Sequence, residues 1–285
     1  MSRPLLRLFD GYEHTTPELK DAVKELQRLL VKHGYSLNPD GEFGRGTEAA
    51  VKDFQRRQGL DDDGIVGPTT WAALLGEPLP EPEPGGVPAM ERFRFSTTYS
   101  RNDPTLLKQL QEAEKYRQYI EEASAKYNFQ DSVIAGVGSR ESHWGLALKP
   151  PGPGGTGDFF RRSVPGPGGH RTTPLPPDGG GFGRGLMQID YDYHEFARTG
   201  NWKDPRANID YGCKVLYQSR AHIARKTNLR GLDLLRATLA AYNCGVGNVL
   251  RAIREGRDVD FFTSGRDYSR DVLNRAGWFQ LHGWE

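Results

Sequence analysis

Three short strings in the C-terminal half place reactive side chains at spacings suited to cutting an acetal bond. Ser139 to Gly145 reads SRESHWG, Gly185 to Asp190 reads GLMQID, and Ala241 to Asn248 reads AYNCGVGN. Glu141 supplies a carboxyl, Asp190 ends a Gly-rich turn, and Tyr242 and Asn243 pair at a helix end. Glycosidic cleavage needs a protonated acid at the leaving oxygen, and a carboxyl meets that need near neutral pH only where desolvation raises its pKa. Glu141 follows Val133, Ile134 and Val137 and precedes Trp144, so a half-apolar setting is expected. By itself it also reads as an exposed helix-end carboxylate paired with Arg140 or His143. Its companions decide between the two.

The elements that must position these residues are mostly helical. Apolar periodicity predicts a long helix over Pro104 to Asn128, with Asn128 ending it, and Asp131 capping a following helix that reaches Glu141. Further helices are expected over Pro205 to Lys226, Leu232 to Asn243, Asn248 to Glu255 and Asp267 to Leu281. Between them, 18 of the 32 residues from Pro150 to Gly181 are Pro or Gly. That composition predicts an irregular surface loop over 149–181, read here as a spacer rather than a lid. Its Phe159, Phe160, Arg161 and Arg162 are candidates to touch glycan or an outer membrane.

Residues 1–76 form a separate unit, divided by a Pro/Glu/Gly linker over 77–90 from a second domain over 91–285. The first unit holds an internal repeat: Asp40-Gly41-Glu42-Phe43-Gly44 with Thr47 recurs as Asp63-Gly64-Ile65-Val66-Gly67 with Thr70. Each copy predicts an Asp-Gly turn leading to a Thr helix start. A preceding helix from Lys20 to His33 presents Val23, Leu26, Leu29 and Leu30 on one stripe. The fold class is therefore mainly α, a small three-helix domain and a larger α-rich one with at most a short β element.

Composition narrows the partners. The 285 residues carry 38 basic against 37 acidic side chains, a net charge of +1 that argues for neither nucleic acid nor an anionic membrane. No apolar run is long enough to span a bilayer, and the N-terminus lacks the features of a secretory signal, so accumulation in the cytoplasm is expected. Cys213 and Cys244 lack metal or redox spacing and are expected to be free thiols; no metal or cofactor is implied.

With those residues in view, the N-terminal unit resembles the peptidoglycan-binding domain of cell-wall hydrolases. The resemblance rests on Leu26-Gln27, Gly34-Tyr35, DGEFGRGTEAAVKDFQ from Asp40 to Gln55, Gly59-Leu60, and DGIVGPTTWAALL from Asp63 to Leu75. The C-terminal strings, in their order, resemble the goose-type lysozymes and, more distantly, the lytic transglycosylases. That resemblance implies Glu141 as general acid, Asp190 as the carboxylate holding the attacking water, and His194, Tyr242, Asn243 and Tyr268 near bound sugar, while Gln188 is a cleft candidate from its alternation with Asp190 in a short extended turn. The animal enzymes have a shorter connection before GLMQ, with a second candidate Asp in a Gly-rich turn, for which Asp178 is the expected equivalent here. The implied partner is bacterial peptidoglycan and the implied enzyme a monomeric phage endolysin, waiting in the host cytoplasm for release to the wall. A prophage enzyme or bacterial autolysin fits the same pattern. A lytic transglycosylase and a non-catalytic wall-binding protein are the other readings.

Overall fold

The computed structural model describes residues 3–58, 60, 62, 64–77, 91–166 and 169–285. Asp63 of the second repeat and residues 78–90 of the expected linker lie outside the described residues. The chain divides into two compact units, Met1–Gly86 and Val87–Glu285.

In the first unit, helices α1 (Lys20–Lys32), α2 (Arg45–Arg57) and α3 (Pro68–Leu75) enclose a core of Val23, Leu26, Leu30, Phe43, Val51, Phe54, Val66 and Trp71. The two repeat threonines do not cap these helices. Gly44 and Gly67 occupy the N-cap positions, and Thr47 and Thr70 are buried within the first turns. Each instead belongs to a glutamine-centred network. Gln27 Nε2 donates to Asp40, to the Glu42 carbonyl and to Thr47, and its Oε1 accepts from Gly41 N at 2.9 Å. Gln55 repeats the arrangement, donating to the Ile65 carbonyl and Thr70 and accepting from Gly64 N at 2.9 Å. A buried amide that uses both ends satisfies the polar groups of the Asp40-Gly41 turn, and at Gln55 the Gly64 N–H and Ile65 carbonyl.

The second unit is built around α6 (Asp131–Ser142) and α11 (Tyr268–Gln280), with α4 (Pro104–Glu114), α5 (Arg117–Tyr127), α8 (Pro205–Lys226), α9 (Gly231–Cys244) and α10 (Val246–Arg254) packed around them. The short α7 (Phe196–Thr199) precedes α8. Ile134, Val137, Trp144, Leu186, Met187, Leu239, Val272 and Trp278 are fully buried in the shared core. The expected single helix over Pro104 to Asn128 is in fact two. It breaks at Lys115 and Tyr116, where Tyr116 is buried beside Trp144 with ring centroids 6.1 Å apart. Burying that ring outweighs continuing the helix, a tertiary effect that local periodicity does not register. Asn128 does end α5, in the left-handed region at φ 55°. Asp131 is the first residue of α6 rather than its cap, and its carboxylate accepts from the Ser124 hydroxyl.

α6 carries two glycines because its neighbours approach too closely for a side chain. A Cβ on Gly136 would lie 2.6 Å from the Val272 carbonyl oxygen of α11, and one on Gly138 would lie 2.5 Å from the Trp144 ring. Gly138→Ala is therefore expected to cost about 2 kcal/mol of stability through overpacking, read as a lower denaturant midpoint with an unchanged slope.

The segment over 149–181 departs most from expectation. It contains β1 (Thr156–Gly157) and a hairpin of β2 (Ser163–Gly166) and β3 (Gly169–Thr172), with Ser163 paired to Thr172 and Gly166 to Gly169. β1 joins β4 (Gly183–Arg184) and β5 (Ile189–Asp190) in a three-stranded antiparallel sheet of order β1-β4-β5. Both Cys213 and Cys244 are free thiols. Among the described residues, no helix is long and apolar enough to cross a membrane.

Candidate active site

Glu141 sits one residue before the end of α6, where the chain turns sharply through His143 and Trp144, both at positive φ. The turn is tied down by local and distant bonds. Trp144 Nε1 donates to the Ala135 carbonyl at 3.0 Å, and Ser142 Oγ donates to the Leu186 carbonyl at 2.6 Å. The second bond joins the Glu141 segment directly to GLMQID. Arg140 turns away to Asp271 and Asp267, leaving Glu141 without the cation partner that an exposed helix-end carboxylate would have.

Burial pushes the Glu141 carboxyl up to about 7, against a smaller opposing effect of a hydrogen bond from Tyr268 and the Arg140 charge. Tyr268 is itself buried, and its hydroxyl donates to Glu141 Oε1. Asp260 sets its place: buried Asp260 accepts from Ser269 N at 2.8 Å and Ser269 Oγ at 2.6 Å, capping the start of α11 from a distance.

A cavity of about 390 Å³ opens beside Glu141, lined also by Asp158, Arg162, Gly183, Gln188, Ile189, Asp190, His194, Val215, Tyr242, Asn243 and Ser264. Six of the eight sequence-derived candidates thus share one pocket, and Tyr268 adjoins it through Glu141. Asp190 lies on β5 and is pushed up by burial, with Arg162 opposing. Arg162 Nη1 donates to Asp190 Oδ2 at 2.7 Å, and Asp192 N donates to its Oδ1 at 2.8 Å. Gln188, at φ 49°, folds back so that its Nε2 donates to the Gly185 carbonyl, and its amide covers Gly183 so closely that a Cβ there would lie 2.2 Å from Oε1. His194 is pushed down to about 4 by burial and the Arg198 charge, so it is neutral at physiological pH. Its Nδ1 lies 3.3 Å from the Tyr211 hydroxyl.

Two candidates are bonded into the pocket frame. Tyr242 uses its hydroxyl to donate to the Met187 carbonyl at 2.7 Å, and Asn243 Oδ1 accepts from Ser264 N at 2.9 Å. Both bonds brace the pocket walls.

Asp178 is placed elsewhere. It does not line the pocket; its carboxylate accepts from Arg184 Nη2 at 2.9 Å and holds a guanidinium buried between Tyr191 and Trp202. The carboxylate that does accompany Asp190 is Asp158, which sequence reasoning passed over. The signal was present in Gly154-Gly155-Thr156-Gly157-Asp158, a Gly-rich turn upstream of the hairpin rather than downstream of it. Arg162, a candidate to touch glycan or an outer membrane, faces the pocket carboxylates. Asp158 and Arg162 of the 149–181 segment accordingly line the pocket.

Residues 20–74 match the family described as "Putative peptidoglycan binding domain", and residues 177–283 match "Lysozyme g". Lysozyme g of Gallus gallus is 35% identical over 171 residues, covering 60% of this chain and 66% of that protein. Lysozyme g of Casuarius casuarius is 32% identical over 176 residues, covering 61% of this chain and 78% of that one. The crystal structure of a Burkholderia AP3 phage endolysin aligns over 98% of this chain and 99% of its own, at 17% identity and a TM-score of 0.24, a score too low to bear on the fold.

Proposed function

Because the chain belongs to the goose-type lysozyme family of glycosidases, we propose that its second unit hydrolyses the β-1,4 bond between N-acetylmuramic acid and N-acetylglucosamine in bacterial peptidoglycan. Glu141 is the general acid. It protonates the glycosidic oxygen while Asp190 and Asp158 hold and deprotonate the attacking water. The observation that carries this reading is a carboxyl raised by burial to about 7, sharing one pocket with two carboxylates bridged by a single arginine. Such a division keeps one carboxyl protonated and leaves another as base, the separation acid–base catalysis requires.

The first unit anchors the enzyme to the wall, in keeping with its peptidoglycan-binding family match. A wall-binding unit joined to a wall-cutting one suits a phage endolysin that accumulates in the host cytoplasm and lyses the cell on release.

A lytic transglycosylase would use Glu141 alone, with the muramic 6-hydroxyl attacking in place of water. The paired Asp158 and Asp190 favour hydrolysis, since the transglycosylase route has no water to orient. Mass spectrometry of digested peptidoglycan separates the two. Reducing N-acetylmuramic acid ends are expected, and 1,6-anhydro ends as the main product would refute hydrolysis.

A further inference from the structure

We propose that Arg162 is a positioning residue for hydrolysis, delivered by the β2–β3 hairpin to hold Asp158 and Asp190 side by side in the pocket. The proposal rests on the glycosidase reading above. Arg162 Nη1 donates to Asp190 Oδ2 at 2.7 Å, and Nη2 donates to Asp158 Oδ2 at 2.5 Å. One planar guanidinium therefore spans two carboxylates from different segments, Asp158 just after β1 and Asp190 on β5, a task suited to its fixed fork and not to a lysine's single ammonium. Nη1 also lies 3.5 Å from Asp192 Oδ2, and the guanidinium carbon sits 4.1 Å from the Phe182 ring centroid. Both leave it little freedom to leave the pocket.

Its backbone is held as firmly as its side chain. The Arg162 carbonyl accepts from Thr173 N at 2.7 Å and from Thr173 Oγ1 at 3.1 Å, closing the hairpin at its base. The hairpin thus carries a charge to a place that a short connection would leave without one.

The electrostatic consequence follows from the neighbours. Asp158, Asp190 and Asp192 cluster about this one cation, and Glu141 lines the same pocket. Arg198 donates to the Tyr191 and Asp192 carbonyls, Arg140 pairs with Asp267 and Asp271, and His194 is neutral. Without Arg162 the two pocket carboxylates repel, and half-buried Asp190, already pushed up by burial, becomes harder still to ionise. The base would then be lost at pH values where it is now available.

The test is the pH dependence of kcat/KM on purified peptidoglycan for the full chain, its Arg162→Gln and Arg162→Lys variants, and Glu141→Gln in parallel. Arg162→Gln is expected to lower kcat about 100-fold through misplaced water and to move the acid limb to higher pH. The alkaline limb, which belongs to Glu141, stays in place. Arg162→Lys keeps the charge but not the fork, so its acid limb stays near that of the parent while kcat remains reduced. The proposal fails if Arg162→Gln lowers the rate with both limbs unmoved, or if the lysine and glutamine variants share one acid limb. Should Arg162→Gln not fold, as judged by circular dichroism, the lysine variant decides alone: an acid limb displaced to higher pH despite the retained charge overturns the proposal. An active Glu141→Gln would overturn the glycosidase reading itself, an outcome distinct from either.

Discussion

Glu141→Gln is expected to cut the rate of peptidoglycan cleavage by roughly three orders of magnitude, within the range general acids contribute, while making the protein more stable above neutral pH. The two effects have one cause. The Glu141 carboxyl is buried with its value raised from 4.5 to about 7, so the folded state binds a proton that the unfolded chain has released between those values. Stability conferred by that bound proton is complete below about 4.5 and declines as pH rises through about 7. Converted at 1.36 kcal/mol per unit, the decline has an upper bound of about 3 kcal/mol, and the residual exposure of Glu141 lowers it. Glutamine keeps the shape and a neutral end, so its variant escapes that loss. Chemical denaturation at pH 5 and pH 8 should show the two proteins close at the lower value and the variant ahead at the higher. Equal stability at both would mean that Glu141 is not held in a desolvating site. The parent's activity is expected to fall as pH rises through about 7, where the acid loses its proton.

Asp158→Asn and Asp178→Asn should have opposite signatures despite their common residue type. Asp158 lines the pocket and accepts one arm of the Arg162 guanidinium, so its loss removes a pocket carboxylate and unbalances Asp190. A fall in kcat of about 100-fold is expected. Asp178 lies outside the pocket against buried Arg184, and its own side chain is 50% exposed. Its substitution should leave kcat within about twofold and cost about 1 kcal/mol of stability, because solvent screens a half-exposed partner. Kinetics and thermal unfolding on the two variants read these outcomes directly. A large kcat loss from Asp178→Asn, with Asp158→Asn near the parent, would reassign the second carboxylate.

The contrast between these aspartates shows what kind of information a chain carries locally. That Glu141, Asp190, Gln188, Tyr242 and Asn243 line one pocket was foreshadowed because each stands in a compact string whose turn and helix residues fix its surroundings within a few positions. The helices over Pro205 to Lys226 and Lys20 to His33 were legible for the same reason, since apolar periodicity is a property of neighbouring residues. The break at Tyr116 was not, because it depends on Trp144, 28 positions away in sequence.

The sequence by itself therefore determined a two-unit, mainly α protein, the strings that carry Glu141 and its pocket companions, and the kinship they imply. Tertiary structure alone decided three things. It set Asp158 rather than Asp178 in the pocket, placed Asp158 and Arg162 of a Pro/Gly-rich stretch in its lining, and brought Arg162 between two carboxylates. The reason is that ion pairing and desolvation depend on which distant segments meet. β4 pairs with both β1 and β5, which sets Gly157 beside Gly183 and Gly183 beside Asp190, and only that pairing carries the Asp158 turn to Asp190. Desolvation acts likewise on Glu141, whose proton is held near neutral pH by the packing around it rather than by any residue next to it in the chain.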